Sequence, residues 1–239
     1  MKHIDQLESV YGRRRKAMPK KDVPTAAIKR LPRYHRYLGE LLREGVLRIS
    51  SLELAERMSV TASQIRQDLN CFGGFGQQGY GYHVKELYEE IGDLLGVNSH
   101  FRAVFVGLGH LGHSLAESAL LERRGIKKLA IFETNPSLFG KEVAGMTVYD
   151  AKDMTAWCRE NQVDIAVLAV PKEAALSCAV ALADGGVRGI WNFSDTELDL
   201  RIDGVLIENM HLADALMGLC YTMHTEDELS KREVSENHE

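Results

Sequence analysis

Hydrophobic positions in the first hundred residues recur with the spacing of amphipathic helices. Residues 24–43 carry this pattern, and Pro32 is expected to divide the segment because proline disrupts helix interiors. Gly45 is expected to end it. A second apolar face runs from Val84 to Leu95 and predicts a further helix before the chain changes character near Ser99.

Two short helices are predicted between these segments, each opened by a capping-box pattern. Ser50 precedes Glu53 by three residues, and Thr61 precedes Gln64 by the same spacing. The short turn between them predicts a helix-turn-helix. Residues 71–82, CFGGFGQQGYGY, interleave five glycines with aromatics, which predicts a hairpin rather than a helix. A helix-turn-helix followed by a hairpin is a winged helix.

From Phe101 onward, strand-like apolar runs alternate with helical segments. The predicted strands are Ala103–Val106, Leu129–Phe132, Asp164–Val170, Gly189–Phe193 and Val205–Ile207. The predicted helices are His110–Leu121, Ala151–Asn161 and Glu173–Ala183. This alternation indicates a parallel sheet that is covered by helices on both faces.

The last predicted helix, His211–Met223, is apolar nearly all round. Such a helix needs burial on most sides, so we expect it to pack against a second subunit or to be exchanged with it. The alternative is an ordinary core helix that covers the sheet. The polar residues 225–239 are expected to be disordered.

Composition and charge add a class of partner to this picture. Hydrophobic residues make up 45% of the 239 residues, which is enough for a packed core. Residues 12–70 hold 14 Lys/Arg against 6 Asp/Glu, whereas residues 100–239 hold 13 against 22. The front segment is therefore expected to meet an anion, although a chance imbalance is the alternative.

The location and the metal content follow from what the sequence lacks. It contains neither a long apolar run nor the apolar core of a secretory signal, so a cytoplasmic protein is expected. The four cysteines lie far apart and form no tight cluster with histidine, so we expect reduced thiols and no metal site.

A glycine motif after the first predicted strand indicates a dinucleotide site. It comprises Gly107, Leu108, Gly109, His110, Leu111 and Gly112. A G-x-G-x-x-G motif is specific when it follows a strand and opens a helix, where a pyrophosphate can lie at the helix N-terminus. Glu133 lies 21 residues after Gly112, the spacing of the carboxylate that binds an adenosine ribose. A carboxylate repels a 2′-phosphate, which favours NAD(H) over NADP(H).

Later strand ends are weaker candidates for the same site. Ligands bind outside the carboxyl ends of such sheets, which nominates Val170, Pro171, Asn192 and Phe193. The alternatives are that Val170-Pro171 ends a strand and that Asn192 satisfies a turn.

The second helix of the helix-turn-helix carries side chains that can read DNA. Ser63, Gln64, Arg66 and Gln67 are predicted to face outward, where they can pair with base edges in the major groove. An arm over residues 1–22 and the first helix supply cations for phosphates, and the hairpin tip can reach a minor groove. The phosphate candidates are Arg13, Arg14, Lys29, Arg30 and Arg33, and the hairpin candidates are Gln77, Gln78 and Tyr80. Alternatively, Arg66 pairs with Asp68 or another neighbour.

Several segments, taken together, resemble the Rex family of bacterial redox-sensing transcriptional repressors. They are PTAAIKRLPRYHRYL, ISSLELAE, SQIRQDLNCFGGFGQQGYGY, VGLGHLG, AVPKEAA and GIWNFS, from about Val23 to Tyr221. The resemblance implies a homodimer that binds a palindromic operator, carries NADH or NAD⁺ in Rossmann domains and exchanges its C-terminal helix. It also implies that NADH favours release of DNA.

Five positions depart from what the resemblance implies. Gln67 stands where the family usually has Lys, and Gln77-Gln78 replaces a commonly basic hairpin tip. Fewer cations predict a shallower salt dependence of DNA binding. Ser118 and His211 replace a Tyr and an Asp that couple cofactor to domain angle in some members.

The sequence therefore predicts an α/β protein in which a winged helix-turn-helix domain precedes a Rossmann-type parallel-sheet domain with an exchanged C-terminal helix. The predicted parts are an arm (1–22), a winged helix (23–97), a Rossmann domain (98–210), a dimerisation helix (211–224) and a disordered tail (225–239). The predicted function is a homodimeric, NADH/NAD⁺-responsive repressor without enzymatic activity. The alternatives are an NAD-dependent oxidoreductase and a regulator that senses another nucleotide such as coenzyme A.

Overall fold

The computed structural model describes residues 23–73, 81–198 and 204–236. The chain divides into two units, residues 1–98 and 99–239. None of the helices in the described ranges combines the length and apolar character needed to cross a bilayer.

In its described residues, the first unit consists of four helices and a small antiparallel sheet. Its elements are α1 (Thr25–Arg43), β1 (Arg48–Ile49), α2 (Ser51–Met58), α3 (Ala62–Phe72), β2 (Tyr82–His83) and α4 (Val84–Leu94). One apolar cluster joins all four helices, with Tyr34, Leu54, Ile65 and Ile91 fully buried. Packing of this cluster rather than helix propensity stabilises such short helices.

Helix α1 runs unbroken through Pro32, so the expectation that this proline divides it is wrong. Pro32 is exposed, while Leu31 and Tyr34 beside it are buried. The missing backbone donor therefore lies on the solvent side, and burial of the opposite face holds the helix together. Gly45, with φ of 76°, follows the helix end as expected.

The helix-turn-helix is present as predicted. Ser50 and Glu53 form a complete capping box at the start of α2. Thr61 caps α3 by accepting from the Gln64 amide, but the Gln64 side chain turns elsewhere, so the second box is only half formed. Ser59 adopts a left-handed conformation, with φ of 53°, in the turn between them.

The hairpin expected within 71–82 is corrected at its start, because Cys71 and Phe72 extend helix α3. Strand β2 pairs antiparallel with β1, which comes before α2 in the chain. Helix α3 continues two residues into the segment 71–82 and ends at Gly73, which has φ of 120°. Residues 74–80, including Gln77, Gln78 and Tyr80, lie outside the described residues.

The second unit is built on a seven-stranded sheet with the order β5-β6-β4-β3-β7-β8-β9. Its strands are β3 (Arg102–Val106), β4 (Lys127–Glu133), β5 (Glu142–Val143), β6 (Met146–Asp150), β7 (Ile165–Leu168), β8 (Gly189–Asn192) and β9 (Leu206–Asn209). All pairs are parallel except β5 with β6. Without β5, this is the Rossmann strand order, and the order reverses between β3 and β7.

The helices of this unit follow the strands as expected, with one correction. Those that connect strands in the described residues are α5 (His110–Glu117), α6 (Met154–Glu160) and α7 (Lys172–Asp184). Helix α5 was expected to reach Leu121, but it ends at Glu117 because Ser118 is extended. A separate 3-10 turn follows at Glu122–Arg124. Separate apolar clusters contain Val104 and Phe105, neighbours whose side chains lie on opposite faces of β3, as expected for a sheet buried on both sides.

Helix α8 (Leu212–Glu236) is longer than predicted, and the expected disordered tail is wrong as far as Glu236. The residues after Thr225 are mostly good helix formers, which continue a helix that is already started. The apolar side chains of α8 are exposed in the single chain: Leu212, Leu216, Met217, Leu219, Tyr221 and Met223.

Candidate functional site

The turn after β3 can be made only by glycine at its first position. Gly107 has φ of 93°, and a Cβ there would lie 2.4 Å from the carbonyl oxygen of Ala169. Its amide donates to the carbonyl of Phe132 at 2.9 Å. The turn is therefore wedged between the ends of β4 and β7, at the point where the strand order reverses.

Gly112 and Gly109 serve different purposes in the same motif. A Cβ on Gly112 would lie 2.1 Å from the carbonyl oxygen of Gly107, so helix α5 packs directly on the turn. A Cβ on Gly109 would meet no atom within 4 Å. The backbone at Gly109 thus faces open space, as required where a ligand approaches the chain closely.

Helix α5 presents its N-terminus to this open space. Gly109 is its N-cap residue, no side chain caps it, and His110 and Leu111 form its first turn. The first amides of a helix have no partner within it, and they attract anions such as phosphate. The backbone of residues 109–112 can therefore hold a diphosphate.

Glu133 is tied to the glycine turn at the end of β4. Its Oε2 accepts from the Leu108 amide at 2.7 Å, and its Oε1 accepts from the amides of Thr134 and Asn135 and from the Thr134 hydroxyl. Burial opposes ionisation, but these bonds outweigh it and hold the pKa of the Glu133 carboxyl below its ordinary value. The Leu108 amide is therefore committed within the protein and is not available to a phosphate.

Val170 and Pro171 lie at the neighbouring strand end. The Cγ1 of Val170 is 3.1 Å from the position of a Cβ on Gly107, so this side chain packs on the glycine turn. Pro171 is exposed and precedes the first residue of α7. Both residues therefore border the carboxyl edge of the sheet, where the motif lies.

The prediction that the Asn192 side chain contacts the ligand is wrong, because both of its polar atoms are hydrogen-bonded inside the protein. Its Nδ2 donates to the Thr196 carbonyl and to Asn209, while its Oδ1 accepts from the amide and hydroxyl of Ser194. The residue is fully buried. It organises the turn after β8, as the alternative held. Phe193 is half-buried, 4.5 Å from Trp191 between ring centroids.

The recognition helix α3 exposes most of the predicted DNA-reading residues. Ser63, Arg66 and Gln67 are exposed, and Gln64 is half-exposed. Arg66 donates to the Ser51 hydroxyl at 2.8 Å rather than pairing with Asp68. Helix α3 therefore presents a row of polar side chains, and one of them, Arg66, is hydrogen-bonded to helix α2.

The Arg30 guanidinium is paired with Asp68 through two of its N–H donors, so its phosphate contact stays a prediction for the donors that remain. Its Nε and Nη2 donate to the two carboxylate oxygens at 2.5 and 2.8 Å. Tyr34 donates to the same carboxylate at 2.6 Å. No role of its own was predicted for Asp68, although its place between the buried Ile65 and Leu69 signals a charged residue on the inner face of α3.

The remaining basic candidates differ in how far they are engaged. Lys29 is exposed, whereas Arg33 is half-buried and donates to the Met58 carbonyl at 2.5 Å. Arg33 thus helps close the C-terminal end of α2. Arg13 and Arg14 lie outside the described residues.

A helix-turn-helix unit joined to a Rossmann unit with an open diphosphate cradle defines a class of nucleotide-responsive DNA-binding regulators. Comparison with known proteins agrees in both units. Residues 22–70 match the family described as "Putative DNA-binding protein N-terminus", and residues 98–196 match the "CoA binding domain" family.

Whole-length relatives identify the family. The chain is 46% identical to the redox-sensing transcriptional repressor Rex of Clostridium botulinum over 204 residues, which are 85% of this chain and 97% of that protein. It is 46% identical to the Rex repressor of Thermoanaerobacter pseudethanolicus over 214 residues, 89% of this chain and 94% of that protein. The chain belongs to the Rex family of redox-sensing transcriptional repressors.

Solved structures of one Rex-family repressor, RSP, share this fold. RSP in complex with β-NAD⁺ and operator DNA superposes with a TM-score of 0.82 at 45% identity, covering 89% of this chain and 97% of that one. RSP in complex with β-NADH gives 0.81 at 42% identity, covering 89% and 99%. The family is one of repressors, so the alternative of an NAD-dependent oxidoreductase is not supported.

Proposed function

We propose that this chain represses transcription as a homodimer that binds operator DNA and releases it when NADH binds. The observation that carries this proposal is the hydrogen bond between Glu133 and the Leu108 amide. It joins the carboxylate that would bind the ribose to the glycine turn, beside an open helix N-terminus. The NADH/NAD⁺ ratio is then the signal that the protein reads.

The residues present fit a nicotinamide dinucleotide. Backbone amides of residues 109–112 would hold the pyrophosphate, and Glu133 Oε2, whose donor in the protein is the Leu108 amide, would accept from a ribose hydroxyl. The Glu133 carboxylate is ionised at neutral pH, because its pKa is lowered, and it would repel the 2′-phosphate of NADP(H). Val170 and Pro171 would border the dinucleotide.

Coenzyme A is the second candidate, because residues 98–196 match a CoA-binding family. Its ribose carries a 3′-phosphate, which an ionised Glu133 would repel as it repels a 2′-phosphate. The carboxylate therefore favours a ribose with both hydroxyls free. NAD(H) is the ligand class that this site supports best.

The DNA surface would be formed by helix α3 and its surroundings. Ser63, Gln64, Arg66 and Gln67 would lie in the major groove, and Lys29 and Arg33 would face phosphates. In a dimer, two such helices read successive grooves only at about one helical turn of spacing. A ligand that changes this spacing releases the DNA, provided that it binds the two states differently by a few kcal/mol.

Helix α8 would supply the dimer contact by exchange between subunits. Its apolar side chains, more than half exposed in the single chain, need a partner surface. Ser118 and His211 would lie in the path between ligand and dimer. Ser118 accepts from the Leu120 amide at 3.2 Å, an arrangement that fixes the loop after α5. A repressor of this kind would act in the cytoplasm.

Isothermal calorimetry tests the ligand half of this proposal. The full-length chain is titrated separately with NADH, NAD⁺, NADPH and coenzyme A. We expect binding of NADH and NAD⁺ and at least tenfold weaker binding of the two phosphorylated ligands. Tighter binding of coenzyme A than of NADH would overturn the assignment of the ligand.

A further inference from the structure

The Asp68 carboxylate has no acceptor position left over in this fold. Its Oδ2 accepts from Arg30 Nε at 2.5 Å and from the Tyr34 hydroxyl at 2.6 Å. Its Oδ1 accepts from Arg30 Nη2 at 2.8 Å and from Gln64 Nε2 at 2.8 Å. A carboxylate offers about four lone-pair sites, so the four donors saturate it. Asp68 is 1% exposed, which makes each of these bonds costly to lose.

Three of the four donors belong to Arg30 and Tyr34 of helix α1, and they tie α1 to α3. The fourth belongs to Gln64, which lies on the same helix as Asp68. It occupies the first turn of α3, one turn before Asp68, and its backbone amide is held by Thr61 at 3.1 Å. Recognition helices contact base edges with their N-terminal residues. Gln64 is half-exposed, so its side chain meets both the buried carboxylate and the surface.

Asp68 therefore determines which atoms of Gln64 face outward. The carboxylate can only accept, so the Gln64 Nε2 must turn toward it and give up one N–H. The carbonyl oxygen Oε1 and the second N–H remain for an outside partner. One acceptor beside one donor matches the major-groove edge of adenine, which presents an N6 donor beside the N7 acceptor.

We propose that Asp68 is a positioning residue for operator recognition, which orients the Gln64 amide so that it reads adenine at one position of each half-site. This inference rests on the proposed function, because it requires α3 to read DNA. Arg30 and Tyr34 take part only by holding Asp68 in place. Asp68 thus determines the base preference of Gln64, although Asp68 itself contacts no base.

Asp68→Asn tests the orientation directly. An asparagine presents an NH₂ group where Asp68 presents an acceptor, so the Gln64 amide turns its oxygen inward and its NH₂ outward. Two outward donors match the N7 and O6 acceptors of guanine. The preference at one position should change from adenine to guanine, with roughly tenfold or greater discrimination in each direction.

The experiment is a selection of duplexes with random half-sites by the full-length chain and its variants. Gln64→Leu identifies the position, because preference disappears there. Tyr34→Phe is the matched control, since it removes a donor from Oδ2 and leaves the Oδ1 bond to Gln64 intact. It should lower the unfolding temperature without altering any base preference, which separates positioning from structural support.

The outcomes distinguish the inference from the function on which it rests. An enriched operator whose preferences are the same in Asp68→Asn and in the wild type overturns the inference alone. A base other than adenine at the Gln64 position overturns it as well. A wild-type chain that enriches no sequence overturns the proposed DNA binding and this inference with it.

A second measurement covers the case in which Asp68→Asn does not fold. In the wild-type chain, side-chain amide protons of Gln64 are followed by NMR hydrogen exchange, with the exposed Gln67 of the same helix as control. One Gln64 proton should exchange at least tenfold more slowly than those of Gln67. Equal exchange of the two side chains would show that Asp68 does not hold Gln64.

Discussion

The carboxylate of Glu133 and the backbone amide of Leu108 are joined by a hydrogen bond of 2.7 Å. This bond connects the end of β4 to the glycine turn after β3, the two segments of the proposed dinucleotide site. In the proposed site, ligand specificity and the shape of the phosphate cradle would therefore depend on the same side chain. A change at Glu133 should affect both.

Replacement Glu133→Gln should make the stability of the α/β unit less sensitive to acid. The pKa of Glu133 is lowered in the folded chain, so the ionised carboxyl stabilises the fold above its ordinary pKa of 4.5, and this contribution is lost as pH falls through the lower, folded value. At pH 7 the free energy of unfolding of the variant should be about 1–3 kcal/mol lower than that of the wild type. Thermal unfolding below about pH 4.5 should show the two proteins converging. A difference that grows as the pH falls would contradict this.

Alanine at two glycines of one motif should separate folding from ligand binding. Gly109→Ala adds a Cβ in open space at φ of −61°, so the unfolding temperature should stay unchanged while NADH affinity falls roughly tenfold or more. Gly112→Ala places a Cβ 2.1 Å from the Gly107 carbonyl and should destabilise the unit by about 3 kcal/mol. Calorimetry and thermal unfolding measure the two effects. Full NADH affinity in Gly109→Ala would place the ligand elsewhere.

Much of the dinucleotide site was predictable because it is local. The glycine motif and Glu133 are separated by one helix and one strand, and their spacing follows from that geometry. The pairing of Asn192 with Asn209 was not predictable, since Asn209 lies 17 residues away on the next strand. Strand β6 was missed because its buried residues, Met146 and Val148, alternate with an exposed one, so it lacks the continuous apolar run by which the other strands were predicted.

The DNA-binding unit shows the same limit. The helix caps at Ser50 and Thr61 were predictable because each involves residues only three positions apart, and helix α3 was predicted from them. Arg30 was assigned to phosphate because a basic helix predicts such contacts, whereas its Nε and Nη2 donate to Asp68, which lies 38 residues away. Side-chain pairs so far apart in the sequence are determined by tertiary packing, which the periodicity of hydrophobic residues does not predict.

Gln67→Lys should strengthen operator binding and make it more sensitive to salt. Gln67 is exposed on α3, so a lysine there can reach a phosphate and release a counterion. A plot of log affinity against log salt should steepen by about 0.9 for each subunit. Gln67→Met, which has similar size and no charge, should leave the slope unchanged. Equal slopes for the lysine variant and the wild type would place Gln67 away from the DNA.

Aspartates on helix α8 should separate the subunits. Leu216 and Leu219 are 59% and 56% exposed in the single chain, and a dimer contact would bury them. Leu216→Asp combined with Leu219→Asp should give monomers in sedimentation velocity experiments. Leu47→Asp changes a leucine that is also exposed, but lies outside α8, and should remain dimeric. A dimeric double variant would show that α8 is not the interface.

The central claim is that occupancy of the glycine-turn site controls operator binding. The most direct measurement is the affinity of the full-length chain for a fluorescent operator duplex, by anisotropy, with and without NADH. We predict that saturating NADH weakens binding at least tenfold in the wild type, whereas the Gly109→Ala variant, which binds NADH poorly, keeps its operator affinity at the same NADH concentration. Unchanged operator affinity in wild-type protein that calorimetry shows to be saturated with NADH would contradict the account.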